Sequence, residues 1–336
     1  MTRANKKPIS KSTNLVIPPE FVRFATPETV ANYRAERLAC NKILEIGAGI
    51  GSQTIAFSKT CAQVLGIEKN KERGEILKKT IEELQIKNVE VIIGDALDED
   101  ISRKIKEFKP EIIFCDTERK ASGERKIDEI KPKPETVIKK YSKVTERIAI
   151  EIPPFTPDTE LLGEDFEKEF ISIEGKLNRL TLYFNSLKKS EVSVVELPSQ
   201  IRLEKREKRK INEVSSTKSF RYIHEINPAI LLAEMIADLS KEEMSLINFE
   251  KKKLLLSKSK IESPFLKRYQ IIKTCSNEEE IKKEIKKVGA GKVILRISIN
   301  PEDYWKKRNF YENGLTGTKQ VSIFGNSVEL ILAEDD

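Results

Sequence analysis

Three features that could bind a ligand follow three successive apolar segments in the first third of the chain. The first is a glycine-rich turn, GAGIG, over residues 47–51. The second is Glu68, which ends the segment 62–68, and the third is Asp95, which ends the segment 89–95. Glycines let the backbone approach a ligand closely, and carboxylates accept hydrogen bonds from hydroxyl and amino groups. The three features predict one ligand site if the segments before them end at the same place.

The segments around these features alternate between short apolar runs and amphipathic stretches. Apolar strands that alternate with helices indicate a parallel sheet covered on both faces, with right-handed crossovers. The predicted fold class is therefore α/β, a doubly wound sheet with helices on both faces, and such sheets bind ligands at their carboxyl edge. The predicted strands are 42–46, 62–68, 89–95, 111–116 and 146–153, and the predicted helices are 52–59, 71–84, 102–108 and 135–142.

The chemistry of the three features favours a ligand that contains adenosine. A dinucleotide-binding turn has the spacing GxGxxG, whereas this turn reads GxGxG with Ser52 next, which argues against NAD. Glu68 could accept both hydroxyls of a ribose, and Asp95 could accept a hydrogen bond from an adenine amino group. Each acid alone could equally be a helix N-cap. Together the three features point to S-adenosylmethionine (SAM).

Further candidates lie after the next two predicted strands. Asp116 could orient or deprotonate a methyl acceptor, and it could equally be structural. Arg119 could contact a phosphate or lie in a solvated loop. Phe155 could stack on a base or cover the cofactor. These residues would place a methyl acceptor at the same edge as SAM.

In this order, the motifs resemble those of the class I SAM-dependent methyltransferases, and most of the chain resembles one family of them that carries a THUMP-like C-terminal domain. The resemblance rests on the runs ATPETVANYRAERLA, KILEIGAGIGSQTIAFSK, GIEKN, VIIGDALD and FRYIHEINPAILLAEMIADL. It implies a Rossmann-like methyltransferase domain, a smaller α+β domain similar to the RNA-binding THUMP module, and RNA (tRNA or rRNA) as substrate. By motif, it also implies cofactor contacts from Glu45, Gly47, Ala48, Gly49, Gly51, Glu68, Asp95 and Ala96.

The motif after the fourth predicted strand departs from this resemblance. Amine methyltransferases of the class place D/N-P-P-Y/F there, and the resembled family has a D-P-A-R-R-like variant. This chain has Asp116-Thr117-Glu118-Arg119-Lys120, which keeps the acid and the basic end but lacks the proline. We therefore expect a less rigid loop and a weaker case for methylation of an exocyclic amine. The alternatives are a non-catalytic RNA-binding or assembly factor and a methyltransferase of a small molecule or protein.

The chain is predicted to contain two domains with flanking segments. Residues 1–40 would form a tail and a helical lid, and residues 41–190 the SAM-binding domain. Residues 191–218 would form a basic linker that could also contact phosphates, and residues 219–336 the THUMP-like domain. Aromatic and basic side chains interleave at residues 304–308, a composition that suits unpaired RNA, although Trp305 could also belong to a core.

Composition narrows the function classes. The chain has 336 residues and a net charge of +7, which is compatible with a polyanionic partner. A single histidine, His224, excludes chemistry that needs several histidines, and no metal is expected. Four cysteines without a CxxC pair indicate a reducing compartment. The sequence contains no run of about 18 apolar residues, which a membrane-spanning helix would need. We expect a cytoplasmic protein.

Overall fold

The structure is a computed structural model in which the chain divides into two compact units, Met1–Glu204 and Lys205–Asp336. It describes Phe21 and residues 25–118, 127–156, 159–163, 165–206, 210–239, 243–250 and 252–336. Each unit has its own sheet and its own hydrophobic core. The fold of each unit therefore follows from its own sequence.

The first unit has the predicted alternation of strands and helices, extended by four more strands. Its strands are β1 (Lys42–Ile46), β2 (Gln63–Glu68), β3 (Val89–Ile93), β4 (Ile112–Asp116), β5 (Ile148–Ile152), β6 (Phe166–Ile173), β7 (Lys176–Phe184), β8 (Val192–Leu197) and β9 (Ile201–Glu204). Its helices are α1 (Glu28–Arg37), α2 (Ser52–Thr60), α3 (Lys71–Glu83), α4 (Glu99–Phe108) and α5 (Pro134–Tyr141). The predicted α/β fold class is confirmed.

The order of the strands places the candidate site. The sheet runs β3-β2-β1-β4-β5-β7-β6-β8-β9, and β1 to β5 are parallel. The chain reverses its direction across the sheet between β1 and β4, and ligands bind outside the carboxyl ends of strands at such a switch point. Beside β5 lies the antiparallel strand β7, so the sheet departs from the all-parallel order of dinucleotide-binding folds.

Helix α1 is part of the first unit rather than a separate lid. The sequence pattern at residues 19–39 predicts a helix with Thr26 as N-cap and Pro27 in the first turn, but α1 begins at Glu28 and Pro27 is its N-cap. Val30, Ala35 and Leu38 are buried in the core of this unit. Because α1 covers the sheet, the chain before β1 contributes directly to the folding of the unit.

Strands β8 and β9 occupy the first half of the segment that was expected to be a linker. Glu167 and Glu169 on β6 have no exposed surface, and Arg37 and Arg202 each form ion pairs with both carboxylates. Burial alone would raise the carboxyl pKa, but Arg37 and the hydrogen bonds lower the pKa of Glu167 to about 2. Arg202 therefore belongs to the first sheet, and its charge compensates buried acids rather than facing solvent.

The second unit is an α+β arrangement on an eight-stranded sheet in which most neighbouring strands are antiparallel. Helices α8 (Glu278–Lys287) and α9 (Tyr304–Glu312) bury Ile281, Ile285 and Tyr311 in its core. The strands are β10 (Asn212–Glu213), β11 (Tyr222–Ile226), β12 (Met244–Phe249), β13 (Lys252–Ser257), β14 (Leu266–Cys275), β15 (Ala290–Leu295), β16 (Lys319–Gly325) and β17 (Leu330–Asp335). The helices are α6 (Pro228–Leu232), α7 (Ile236–Leu239), α8 (Glu278–Lys287) and α9 (Tyr304–Glu312).

The run NPAILLAEMIADLS at residues 227–240 predicts one helix with a proline at its start, but the structure has two short helices there, α6 and α7. Glu234 between them adopts a left-handed backbone conformation with φ of 55°. In an unbroken helix Met235 would lie roughly 140° around the axis from Ile230. Both residues have no exposed surface, so the break allows both to enter the core.

Within the part of the chain that the structure describes, no helix is both long and apolar enough to cross a membrane. The same residues contain no group of three or more His, Cys, Asp or Glu side chains that could hold a metal ion.

We expect Arg202→Met to lower the free energy of unfolding of the protein by about 2 kcal/mol or more, because it leaves two buried carboxylates with Arg37 as their remaining arginine partner. Urea unfolding monitored by circular dichroism measures this loss.

The matched control is Arg206→Met, since the Arg206 side chain is exposed in the same basic run. Its unfolding midpoint should match that of the wild type. Equal losses in the two variants would mean that Arg202 is a solvated surface charge.

Candidate functional site

The glycine-rich turn after β1 packs against the end of β4. The amides of Gly47 and Ala48 donate to the Ile67 carbonyl at 2.9 and 3.0 Å. Gly47 has φ of 81°, and a Cβ there would overlap the carbonyl oxygen of Asp116. Only glycine satisfies both conditions, so the turn can lie this close to Asp116 only because position 47 has no side chain.

Gly49 and Glu68 are in direct contact, as the predicted shared site requires. The Gly49 amide donates to Glu68 Oε2 at 2.7 Å, and the Asn70 amide donates to Oε1 at 2.7 Å. A Cβ placed on Gly49 would meet no atom closer than the Gly47 carbonyl at 4.0 Å, so the backbone there faces open space. The turn at Gly49 and the carboxylate of Glu68 therefore form an open surface with one acidic side, here called the cradle. This arrangement fits the adenosine part of SAM.

Glu45 lies beneath this turn. It is 1% exposed, and the Thr54 hydroxyl of α2 donates to its Oε2 at 2.6 Å. Burial raises the pKa of Glu45 well above its usual value. The predicted role of Glu45 as a cofactor contact stays a prediction, and its visible role is to join β1 to α2.

Asp95 stands after β3 at the same edge and is linked to Glu68 through the backbone. The Gly94 amide donates to the Glu68 carbonyl at 2.9 Å. The Asp95 carboxylate accepts from the Leu97 amide at 2.9 Å and pairs with Lys69 at 2.6 Å. Although burial acts to raise it, the pKa of Asp95 is lowered because Lys69 and Leu97 donate to the charged form. Its neighbour Ala96 is buried.

Asp116 and Glu151 lie side by side at the ends of β4 and β5, where they are register partners. Glu151 pairs with Arg34 of α1 and with Arg179 of β7, the latter at 2.9 Å. Arg34 is 0% exposed and also donates to Gln53 Oε1 at 3.0 Å. Sequence reasoning gave no site role to either arginine.

Burial, and then the charge of Glu151, raise the pKa of Asp116 to about 7, and Arg34 and Arg179 offset part of that effect. Around neutral pH the half-buried Asp116 is therefore present in both protonation states. A carboxyl group in this condition can accept a proton from a substrate and return it to solvent.

The loop after Asp116 begins in a fixed position although it lacks the proline of related motifs. The Thr117 hydroxyl donates to the Glu151 carbonyl at 2.6 Å. The backbone of Glu118 pairs with Lys131 at 2.7 and 3.2 Å, and its carboxylate pairs with Arg73 of α3. The expected loss of rigidity is therefore not seen at the first two residues of the loop.

The two predicted substrate contacts have different outcomes. Arg119 lies outside the described residues, as do Arg125 and Lys126. Phe155, after β5, is 55% exposed. An exposed aromatic ring beyond Glu151 suits stacking on a flat acceptor, and its role stays a prediction.

The segment that holds the candidate site is similar to known methyltransferases. The model of a family described as ribosomal RNA adenine dimethylase matches residues 31–148. A "Protein-L-isoaspartate O-methyltransferase" from Rhodopseudomonas palustris is 38% identical over 72 residues, which is 20% of this chain and 34% of that protein. A "Probable ribosomal RNA small subunit methyltransferase A" from Thermococcus onnurineus is 47% identical over 64 residues, which is 19% and 22% of the two chains. The match covers about a third or less of these relatives' length.

One solved structure is similar to nearly the whole chain. It is a "putative methyltransferase" from Porphyromonas gingivalis W83, with a TM-score of 0.77 over 96% of this chain and 84% of that one. The identity is 17%, so the similarity establishes the fold alone.

The family match and the strand order make the first unit similar to the class I SAM-dependent methyltransferases. Within this class, residues 31–148 are similar to the ribosomal RNA adenine dimethylases.

Gly47→Ala should lower the free energy of unfolding by about 2 kcal/mol more than Gly49→Ala does. Both positions have positive φ and share that backbone cost, but only the methyl group at position 47 overlaps the Asp116 carbonyl. Chemical denaturation of both variants measures the difference.

Gly49→Arg fills the open space without this overlap and serves as the binding test. Its unfolding midpoint should stay close to that of Gly49→Ala. Calorimetric titration of this variant should detect no binding of SAM or S-adenosylhomocysteine. Wild-type affinity for SAM in Gly49→Arg would contradict the assigned cradle.

Wild-type protein should lose stability relative to Asp116→Asn as pH rises from about 4 to about 7. The pKa of Asp116 is about 7 in the folded protein and has its ordinary value of 3.8 in the unfolded chain. The folded protein therefore holds this proton more tightly. In that window the folded state binds more protons than the unfolded state, so stability falls with rising pH by about 3 kcal/mol.

Urea unfolding at several pH values checks this difference, with exposed Asp98→Asn as the control. A stability difference between wild type and Asp116→Asn that does not change with pH would show that Asp116 titrates normally.

Proposed function

We propose that the protein is a cytoplasmic SAM-dependent methyltransferase that acts on RNA, either tRNA or rRNA. The observation that carries the proposal is the position of Asp116 at the switch point, against the Gly47 turn and within the segment similar to ribosomal RNA adenine dimethylases. The cofactor cradle and a proton acceptor thus lie at one edge of one sheet. The first unit would bind SAM and carry out the transfer.

SAM supplies an electrophilic methyl group on its sulfonium sulfur. The backbone at Gly49 and the carboxylates of Glu68 and Asp95 would hold the adenosyl part, and each acid has an oxygen that already accepts a backbone hydrogen bond and is fixed by it. Fixed positions matter because methyl transfer is a displacement that depends mainly on alignment and exclusion of water.

Asp116 would orient the acceptor and take its proton. An amine or a hydroxyl loses a proton when it is methylated, and a carboxyl group with a pKa of about 7 can accept that proton near neutral pH. A carboxylate acceptor, as in isoaspartate methylation, has no proton to lose. This difference favours a nucleotide acceptor over a protein carboxylate.

Exposed aromatic and basic groups support RNA as the substrate. Phe155 lies at the site edge, and Trp305 on α9 is 63% exposed with the Arg308 guanidinium 5.3 Å from its ring centroid. The alternative that Trp305 belongs to the core is wrong. The resemblance of the second unit to THUMP modules and the net charge of +7 also favour a nucleic acid.

A non-catalytic RNA-binding or assembly factor is the second candidate. It is favoured by the motif Asp116-Thr117-Glu118, in which Glu118 is held by Arg73 and the usual proline is missing. This candidate needs RNA binding and the fold but no methyl transfer.

Incubation with SAM labelled in its methyl group and total RNA from cells that lack the gene tests the function. We expect label in RNA, and Asp116→Asn should lower the rate about 100-fold or more while SAM affinity changes little. Exposed Asp98→Asn is the matched control and should keep the wild-type rate.

The other results each identify an alternative. RNA binding without label supports the assembly factor, and label in protein or small molecules supports a different substrate class. If RNA from the gene-deleted cells becomes labelled and RNA from the parent cells does not, the result would support a natural RNA target.

A further inference from the structure

Two of the four cysteines lie next to each other in the first unit. The Sγ atoms of Cys40 and Cys61 are 4.0 Å apart, and one thiol donates to the other. Cys40 is half-buried and gives the pair access to solvent, whereas Cys61 is buried and also approaches the Leu38 carbonyl at 3.9 Å. The four cysteines are all free thiols in the structure.

The pair is placed between two helices that frame the candidate site. Cys40 lies between α1 and β1, and Cys61 lies between α2 and β2. Cys61 belongs to the core cluster that packs α1 on α2, and Cys40 packs against this cluster. The segment 40–61 between them contains β1, the glycine-rich turn and α2.

We propose that Cys40 and Cys61 are a thiol oxidation site that forms an intramolecular disulfide with hydrogen peroxide or another small peroxide. The sulfur atoms must approach each other by about 2 Å to reach bonding distance. This inference does not depend on the proposed RNA substrate, because it concerns a different part of the first unit.

The chemistry balances with one peroxide for each pair. The thiolate of one cysteine attacks the peroxide, which gives a sulfenic acid and releases hydroxide. The second thiol then attacks the sulfenic sulfur, forms the S–S bond and expels water. The two thiols lose two electrons and two protons, and hydrogen peroxide is reduced to two waters.

The hydrogen bond between the thiols prepares the pair for this reaction. It lowers the pKa of Cys61 to about 6 and raises the pKa of Cys40. This shift favours the thiolate at one sulfur of the pair, and the thiolate is the reactive form. By contrast, burial raises the pKa of both Cys115 and Cys275, so those thiols stay protonated.

The disulfide would close the segment 40–61 into a covalent loop. Such a loop restricts the unfolded chain, so the oxidised protein should melt about 5–10 °C above the reduced protein. The bond would also tether the end of α1, the helix that carries Arg34, to the end of α2, the helix that starts at the cofactor turn.

The test is to treat full-length wild-type protein with hydrogen peroxide, alkylate the remaining thiols and map the peptides without reduction. We expect a mass about 2 Da below that of the reduced chain before alkylation, two thiols left of four, and a linked peptide pair that contains Cys40 and Cys61. Cys40→Ser and Cys61→Ser should lose the linked peptides, whereas Cys115→Ser and Cys275→Ser should keep them.

Other outcomes would overturn the inference. Four intact thiols after treatment, a disulfide between two chains, or earlier loss of Cys275 would each contradict it. A linked protein that melts no higher than the reduced one would show that the bond forms only outside the native fold. Since peptide mapping uses the wild type, a variant that fails to fold does not affect the result.

Discussion

The buried ion pair between Arg34 and Glu151 is the interaction on which the candidate site depends. Arg34 has no exposed surface and comes from α1, while Glu151 lies near the end of β5 beside Asp116. An arginine at this depth requires a carboxylate partner, and breaking such a pair costs about 3–5 kcal/mol. Arg34 also holds Gln53 of α2, the helix that starts at the cofactor turn. One side chain thus connects the part of the edge proposed to bind the cofactor to the part proposed to bind the acceptor.

Two groups of buried acids in the first unit differ in their balance of charge. In the group on β6, Arg37 and Arg202 face Glu167 and Glu169, and the pKa of Glu167 is low. At the carboxyl edge, Arg34 and Arg179 both pair with Glu151, and the half-buried Asp116 keeps a raised pKa. The first arrangement stabilises the fold. The second gives up stability to keep a carboxyl group near its titration point, as functional sites commonly do.

The central strands could be predicted from sequence because they are apolar throughout, which only a buried parallel sheet explains. The last strands of the sheet, β8 and β9, could not, because β9 carries Arg202, and a charge paired inside a fold looks in sequence like a charge in a linker. The break at Glu234 was also hidden, because the residues around it suit a helix.

In the candidate site too, some residues could be predicted from sequence and others could not. Gly49, Glu68 and Asp95 could be predicted to lie at one edge because they end or follow β1, β2 and β3, and parallel strands bring their ends together. Arg34 was missed, although a signal existed. It lies three and four residues from Ala31, Val30 and Leu38 on the buried face of α1, where an arginine implies a buried acid elsewhere.

The loop after Asp116 shows how hydrogen bonds can replace a proline. Proline would restrict the backbone locally, whereas here Glu118 is held by Arg73, a residue of α3. The N-cap of that helix is Asn70, whose side chain accepts from the Arg73 amide at 3.0 Å and whose amide donates to Glu68 at 2.7 Å. A continuous set of contacts therefore runs from the acid of the cofactor cradle to the acceptor loop. A proline cannot provide this link, because it acts on its own backbone alone. The altered motif is thus consistent with an acceptor loop whose position depends on the cofactor side of the site.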